Sequence, residues 1–148
     1  MVARSIVDKS MLVYVVYTIT RPGLYVPSVG PEDRILIILP EWLRLIYRGP
    51  KKIEIRSVRY ASYVGKRIFL CASESSEVSG CVTLQRIEGP LSSERWASLR
   101  GLHCVPGDRA YGDITYAWWM DEVEYFSTPI PIVRKHGSVI TQVGPGRS

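Results

Sequence analysis

The chain has 148 residues, of which 46% are hydrophobic and 22% are charged, and its formal net charge is +5. This length favours a single folded domain, and the composition excludes a largely disordered chain. A basic chain suits a polyanionic partner, because lysine and arginine side chains that neutralise phosphates release counterions. Charge alone does not identify that partner.

Amide residues are scarce, which indicates a heat-adapted source. Asparagine is absent, and glutamine occurs only at Gln85 and Gln142. Heat-labile amides are depleted in proteins that work at high temperature. This usage predicts a thermophilic protein and carries no information about function.

Three cysteines and two histidines do not form a recognisable metal-binding pattern. Cys71, Cys81 and Cys104 contain no C-x-x-C pair, and the histidines are His103 and His136. We therefore expect neither a metal nor a cofactor. A disulfide between Cys71 and Cys81 stays open, because heat-adapted intracellular proteins use such bonds. Adjacent side chains usually point apart, so His103 and Cys104 do not predict a thiol–imidazole pair.

Residues 1–33 are predicted to form an N-terminal extension. The apolar run at 11–19 predicts a strand, because it is rich in β-branched and aromatic residues. It is shorter than the roughly 20 residues that cross a bilayer. Arg21-Pro22-Gly23 follows it in place of a small-residue cleavage site, and a Pro/Gly-rich connection reaches Asp33. We expect a cytoplasmic protein that does not enter a membrane.

A regular alternation of elements begins at Arg34. Residues 34–39 form a continuous apolar run that is typical of a buried strand. Pro40 suits the first position of a helix, and Gly49 suits its end. Pro50 prevents that helix from continuing, so the next strand, at 51–58, follows it directly.

The rest of the chain predicts more short strands and one further helix. A loop at 60–66 is followed by predicted strands at 67–72 and 78–87, the second with a bulge at Gly80. A helix is predicted from Ser92 or Ser93 to Leu102. Strands at 114–120 and 122–128 are then predicted to form a hairpin or bent ribbon. Pro129-Ile-Pro-Ile is expected to end the regular structure. The order predicts a β-rich α+β domain at 34–143, a small β-barrel with two or three short helices. Residues 144–148 are a predicted flexible tail.

The stretch GPKKIEIR at 49–56 offers the most chemistry. Alternation along a strand places Lys52, Glu54 and Arg56 on one face, while Lys51 at the turn can reach either side. A lysine beside a glutamate is an acid/base pair or an ammonium ready for a phosphate. An arginine can hold a phosphate through two hydrogen bonds. The alternative is an ordinary strand with a solvated polar face.

Aromatic and basic residues adjoin this stretch. Tyr60 and Tyr63 lie beside Arg59 and other basic residues, a mixture that can stack bases and hold phosphates. The alternative is that the tyrosines only cover one end of the barrel. Arg44 and Arg48 share a helix face and extend the basic surface.

Residues 34 to about 133 resemble the ASCH domains (activating signal cointegrator homology), a branch of the PUA-like superfamily of small β-barrels. The resemblance begins with an apolar strand, a Pro-led helix and a Gly-x-Lys-x-x-Glu-x-Arg motif. The motif residues are Gly49, Lys51, Glu54 and Arg56. The later order of strands and helix, up to Pro-Ile-Pro-Ile, is also similar to that of the family.

The resemblance implies a PUA-like barrel whose motif lines a cleft and binds RNA or a nucleotide-like ligand. Some members of the family are ribonucleases, and others are amidohydrolases that act on acylated cytidine. The amidohydrolases carry a hydroxyl residue where this chain has Glu54, and threonine where it has Lys52. Both departures weaken the amidohydrolase interpretation.

The sequence thus favours a monomeric RNA-binding protein with a basic cleft. The predicted nucleic-acid contacts are Lys51, Lys52, Glu54, Arg56, Arg59, Tyr60, Tyr63 and Arg48. The cations are expected to contact phosphate, Glu54 to fix the cleft or read a base edge, and a tyrosine to stack. Two alternatives stay open. One is an enzyme acting on RNA or a modified nucleoside through Lys51 and Glu54, and the other is an accessory domain that contacts a protein through residues 1–33.

Overall fold

A computed structural model describes residues 15–21, 24–30, 33–108, 114–133 and 140–142 of this chain. The predicted strand residues 11–14 and the predicted tail at 144–148 lie outside these ranges. In the described part of the extension, β1 (Val15–Arg21) and β2 (Leu24–Val29) pair antiparallel as a two-stranded sheet. The expected Pro/Gly-rich connection therefore contains a strand. Pro27 is compatible with it because a two-stranded sheet has only edge strands.

The other six strands form one mixed sheet that curls into a half-barrel. They are β3 (Arg34–Ile38), β4 (Ile53–Arg56), β5 (Arg67–Ala72), β6 (Glu77–Glu88), β7 (Tyr116–Pro131) and β8 (Ile140–Gln142). Their order is β4-β7-β6-β5-β3-β8. Only the β3–β5 pair is parallel. The predicted β-rich α+β class is confirmed.

Three short α-helices accompany the sheet in the part of the chain that the structure describes, and the ends of the first two follow local sequence signals. α1 (Pro40–Arg48) has proline in its first turn, and Gly49 ends it in a left-handed conformation with φ 107°. α2 (Ser93–Ser98) is capped by the Ser92 hydroxyl, which accepts a hydrogen bond from the Arg95 backbone N–H at 3.1 Å. α3 (Arg100–His103) follows after Leu99.

Apolar clusters cover β4 on both of its faces. Ile53 and Ile55 pack against Trp96 and Leu99, which belong to the α2–α3 region. The opposite face of β4 and its neighbours lies toward the cluster that contains Trp118 and the α1 core residues. All four residues of β4 are consequently buried, so its polar face is not a solvated one.

Two predicted elements differ from the structure. The helix expected from Ser92 or Ser93 to Leu102 is divided at Leu99 into α2 and α3. The two strands expected at 114–120 and 122–128 are one bent strand, β7, and both parts of it pair with β6. Glu122 lies at the bend with φ 49°, and a non-glycine residue with positive φ marks a local irregularity. Regular structure also continues past Pro129, since β7 runs to Pro131 and β8 follows.

Cys71 and Cys81 are not joined by a disulfide in the structure. Cys71 donates through its thiol to the Ser75 carbonyl at 3.3 Å. Cys81 lies 2.9 Å from an Arg67 guanidinium nitrogen, and burial raises the pKa of the Cys81 thiol to about 11. A neutral, buried thiol reacts slowly, because the thiolate is the nucleophile.

Gly80 lies at a bulge where a helix approaches the sheet closely. The register shifts on either side of it confirm the predicted irregularity. The Tyr47 ring of α1 lies over this glycine, and a Cβ atom there would be 2.6 Å from the Tyr47 hydroxyl and would also collide with the Glu124 carbonyl. The Tyr47 hydroxyl is held 2.6 Å from the Ser79 hydroxyl. A side chain at position 80 would therefore displace α1 or β7.

We expect Gly80→Ala to lower the free energy of unfolding by about 1–3 kcal/mol, because overpacking forces neighbouring groups apart. Gly101→Ala is the matched control, since a Cβ at position 101 meets nothing within 4 Å. The control should raise stability by about 0.4–1 kcal/mol through the lower entropy of the unfolded chain. Urea denaturation measures both changes, and equal stability of the two variants would contradict the described contact.

Candidate functional site

Lys51 lies fully buried at the turn between α1 and β4. Its backbone N–H donates to the Leu45 carbonyl at 3.3 Å, which fixes the turn after Gly49. Its ammonium donates to the His103 carbonyl at 2.6 Å and lies 3.5 Å from Glu54 Oε1. It is also 5.2 Å from the centre of the Trp42 ring, a cation–π distance. Contacts from α1, α3 and β4 thus meet around one ammonium group.

Glu54 joins Lys51 to Arg56. Its Oε2 atom accepts a hydrogen bond of 2.6 Å from Arg56, whose same terminal nitrogen donates to the Ile37 carbonyl of β3 at 2.8 Å. Its Oε1 atom faces Lys51 and also lies 3.3 Å from the Ile55 backbone N–H. We call Lys51, Glu54 and Arg56 the charged network. Through it, β4 is tied to β3 and α3, neither of which is its hydrogen-bonded neighbour in the sheet.

The charged network is buried and carries two positive charges and one negative charge. Relative exposure is 1% for Lys51, 5% for Glu54 and 8% for Arg56. Burial lowers the pKa of Lys51, and the Glu54 carboxylate opposes that shift. Removing an ion from water costs roughly several kcal/mol, and the ion pairs and hydrogen bonds within the network must offset that cost. The Arg56 Nε donor has no partner among the described residues.

Aromatic side chains lie beside the charged network. Glu54 is the cross-strand partner of Trp118, whose indole N–H donates to the Val58 carbonyl at 3.0 Å. The Tyr60 ring meets the Trp118 ring edge-on at 5.9 Å and the Tyr63 ring at 5.5 Å. We call Tyr60, Tyr63 and Trp118 the aromatic group. It runs from the core to the surface, because Trp118 is buried and Tyr60 is 40% exposed.

The predicted site residues divide into a buried set and a surface set. The structure brings Lys51, Glu54 and Arg56 into direct contact, and it places Tyr60 against Tyr63. The surface set is Arg48, Lys52 and Arg59, all of which are exposed. Lys52 is exposed while Glu54 and Arg56 are buried, although strand alternation predicted all three on one face. It lies before β4 begins, where the strand is not yet covered.

Three further residues complete the site and were not predicted from the sequence. Trp42 faces Lys51, and the His103 carbonyl accepts the Lys51 ammonium. Arg34 donates to the Tyr63 hydroxyl at 3.2 Å and lies 5.8 Å from the centre of its ring. Helical periodicity explains Trp42 as a packing residue, and a backbone acceptor such as that of His103 leaves no sequence signal.

Metal-ligating side chains do not cluster near the site or elsewhere in the described ranges. There, no three His, Cys, Asp or Glu side chains lie together as a metal site would require. No helix in those same ranges is long and apolar enough to cross a membrane.

The fold is similar to that of solved ASCH proteins. The ASCH structure from Zymomonas mobilis matches with a TM-score of 0.64 and 15% identity, over 78% of this chain and 90% of that chain. Two mutants of that Zymomonas mobilis protein, one serine-to-alanine and one tyrosine-to-phenylalanine, match with TM-scores of 0.60 and 0.59, each at 18% identity. They cover 77% and 76% of this chain and 89% and 90% of their own. No family model and no curated protein matches the sequence.

These likenesses confirm the predicted resemblance at the level of the fold. The chain has the fold of these ASCH structures, of β-rich α+β class with short helices.

We expect Glu54→Gln to lower the free energy of unfolding by about 3–5 kcal/mol, because two buried cations are left without their shared anion. Urea denaturation at neutral pH measures the loss. Glu74→Gln is the control, since Glu74 is exposed in the turn between β5 and β6. That substitution should stay within about 0.5 kcal/mol of wild type.

Adding Lys51→Met to Glu54→Gln should cost less than the sum of the two single changes. The double variant removes one of two facing cations and relieves the burial of an ammonium group. Strict additivity of the two free-energy changes would show that Lys51 and Glu54 do not act as one network.

Proposed function

We propose that this protein binds RNA or a nucleotide-like ligand where the aromatic group reaches the surface beside the charged network. The observation that carries the proposal is the position of an exposed ring, Tyr60, on a chain of rings whose buried end, Trp118, is the cross-strand partner of Glu54, the anion that pairs with Lys51 and Arg56. Stacking on an exposed ring holds a base without regard to its identity, and a basic protein favours an anionic ligand. The ASCH-type fold supports the same ligand class through the family resemblance.

The charged network still has donors to offer to a ligand. A lysine ammonium has three N–H donors, and Lys51 directs one to the His103 carbonyl and one toward Glu54. The Arg56 Nε–H has no acceptor among the described residues. Because these donors are buried, we propose that a base edge or a phosphate oxygen reaches them only from a ligand that enters beside the aromatic group, while Glu54 holds both cations in place.

The exposed cations supply the phosphate contacts in this proposal. Lys52 and Arg59 flank the charged network along the chain, and Arg48 lies one turn before it at the end of α1. Flexible, solvated side chains of this kind suit a mobile single strand, because they follow its backbone without a fixed geometry. Tyr60 stacks, and Tyr63 supports it with help from Arg34.

Binding of a labelled single-stranded RNA of mixed sequence, followed by fluorescence anisotropy over a range of salt concentrations, tests the proposal. The double variant Lys52→Ala/Arg59→Ala should bind more weakly and show a smaller salt slope, by about 0.7 for each phosphate that the variant no longer neutralises. Tyr60→Leu should lose about 1–3 kcal/mol of binding free energy and keep the wild-type slope.

Arg95→Ala, which removes one positive charge where the double variant removes two, is the control for position. Arg95 is exposed and belongs to α2, which packs on the other face of β4, and it pairs with Glu88 at 2.6 Å. Its removal should leave both affinity and slope close to those of wild type. The proposal is wrong if the wild-type protein binds no RNA at low salt. It is also wrong if the Arg95 variant loses as much affinity for RNA as the Lys52/Arg59 double variant.

A second candidate function is an enzyme acting on RNA or a modified nucleoside. The observation that favours it is the buried Lys51 ammonium, whose pKa is lowered by burial and which faces the Glu54 carboxylate. A lysine with a lowered pKa becomes available as a general base, and the carboxylate can orient it. The change from threonine to Lys52 and the presence of Glu54 speak against acylated cytidine as the substrate.

Incubation of the protein with labelled RNA and with acylated cytidine separates the two functions. Turnover that disappears in a folded Glu54→Gln variant supports the enzyme, and binding without turnover supports the binding module. Circular dichroism establishes that the variant is folded.

We also infer a cytoplasmic monomer in which residues 1–33 are an extension of a domain at 34–143. The separate β1–β2 sheet supports that division. Light scattering of the full chain gives its mass in solution, and a dimer would contradict the inference.

A further inference from the structure

His103 is a fully buried histidine with both ring nitrogens engaged. Its Nδ1 atom accepts a hydrogen bond of 2.9 Å from the Val105 backbone N–H. Its Nε2 atom lies 3.0 Å from the Trp96 carbonyl, and its ring stacks on the Trp96 ring at 4.0 Å. The imidazole is thereby held on one side by α2 and on the other by the turn that follows α3.

These contacts define one neutral tautomer. Because Nδ1 accepts from Val105, it carries no proton, and the proton must lie on Nε2, where it is donated to the Trp96 carbonyl. Protonation would place the second N–H hydrogen of the ring on Nδ1, facing the Val105 N–H. The turn bond to Val105 cannot survive that change.

The same turn fixes the carbonyl that holds Lys51. The His103 carbonyl accepts the Lys51 ammonium at 2.6 Å, and the next residue, Cys104, has a left-handed conformation with φ 64°. A bond from a side chain to the N–H two residues onward is the contact that Asx turns use to hold such a conformation. The ring of His103 thus sets the direction of its own carbonyl.

We propose that His103 is a positioning residue for Lys51, and that it can act only with a neutral imidazole. The inference rests on the proposed function in so far as Lys51 contributes to ligand binding. It adds a protonation-dependent control of that site from a residue that does not touch the ligand.

The charges around His103 oppose its protonation. Burial lowers the pKa of His103, the hydrogen bond to the Trp96 carbonyl opposes this, and the charges of Lys51 and Arg100 lower it further. Two charged groups lie near the ring on the described elements that pack against it: Lys51, just before β4, and Arg100 in α3. The third element, α2, contributes the uncharged Trp96. As pH falls, the unfolded chain therefore binds a proton before the folded protein does. Stability is fully present above the ordinary histidine pKa, and it is lost as pH falls from that value toward the lower folded one.

An NMR titration of 13C-labelled lysine tests the inference without any ligand. In a titration from about pH 8 down to the lowest pH at which the protein stays folded, the Lys51 Cε signal, assigned with Lys51→Arg, should shift in step with the His103 ring signals, below the ordinary histidine pKa. His103→Asn should remove this inflection, because an asparagine oxygen can accept from the Val105 N–H at every pH. His103→Leu, which has no acceptor, should displace the Lys51 signal throughout the range. An unchanged Lys51 signal in the leucine variant would overturn the inference, as would the absence of an inflection in wild type or its persistence in the asparagine variant.

RNA binding over the same pH range connects this control to the proposed site. Wild-type affinity for the labelled single strand should fall about fivefold further than that of His103→Asn between the two ends of the range, the lower end of the usual coupling between two sites. Equal pH dependence of the two proteins would overturn the inference. If the Lys51 and His103 signals titrate together but the protein binds no RNA at any pH, His103 is still a positioning residue. The proposed function is then refuted.

Discussion

The Glu54 carboxylate, held between two buried cations, is the interaction on which the rest of the structure depends. It pairs with Arg56 at 2.6 Å and faces the Lys51 ammonium at 3.5 Å. The two cations then reach carbonyls on different elements, Ile37 of β3 and His103 of α3. One anion therefore organises the approach of β3, β4 and the short helices. Its loss leaves two buried positive charges without the anion that pairs with both.

In the proposed site, one set of side chains is held rigidly inside the fold and a different set at the surface contacts the ligand. The charged network is buried and has fixed partners, so it defines a rigid floor with few free donors. Exposed Tyr60 and the surface cations around it are free to adapt to a flexible strand. Rigid donors suit the recognition of one group, and solvated cations suit a phosphate backbone of any sequence. The His103 turn extends the rigid part into the helical region and adds sensitivity to pH.

Local signals predicted the elements well, and long-range packing decided what they could not predict. Pro40 and Gly49 set the ends of α1, and the Ser92 cap set the start of α2. The motif itself pointed to Glu54 and Arg56 together, since strand alternation places them on one face. Their burial depends on β3 and β7, which face them through the Ile37 carbonyl and Trp118, and the His103 carbonyl reaches Lys51 from 52 residues away. No local pattern records such a contact. The bend at Glu122 likewise depends on pairing with β6, so the local pattern did not distinguish one bent strand from two strands.

The indole N–H signals of the tryptophans test the central claim most directly, in an NMR titration with a short single-stranded RNA. Trp118 belongs to the aromatic group and Trp42 faces Lys51, so both signals should shift and saturate together. Trp96 donates to the Gly107 carbonyl and Trp119 to Glu88, and these two signals should stay in place. Saturable shifts confined to Trp96 and Trp119 would place the ligand on the helical side of β4 and contradict the account.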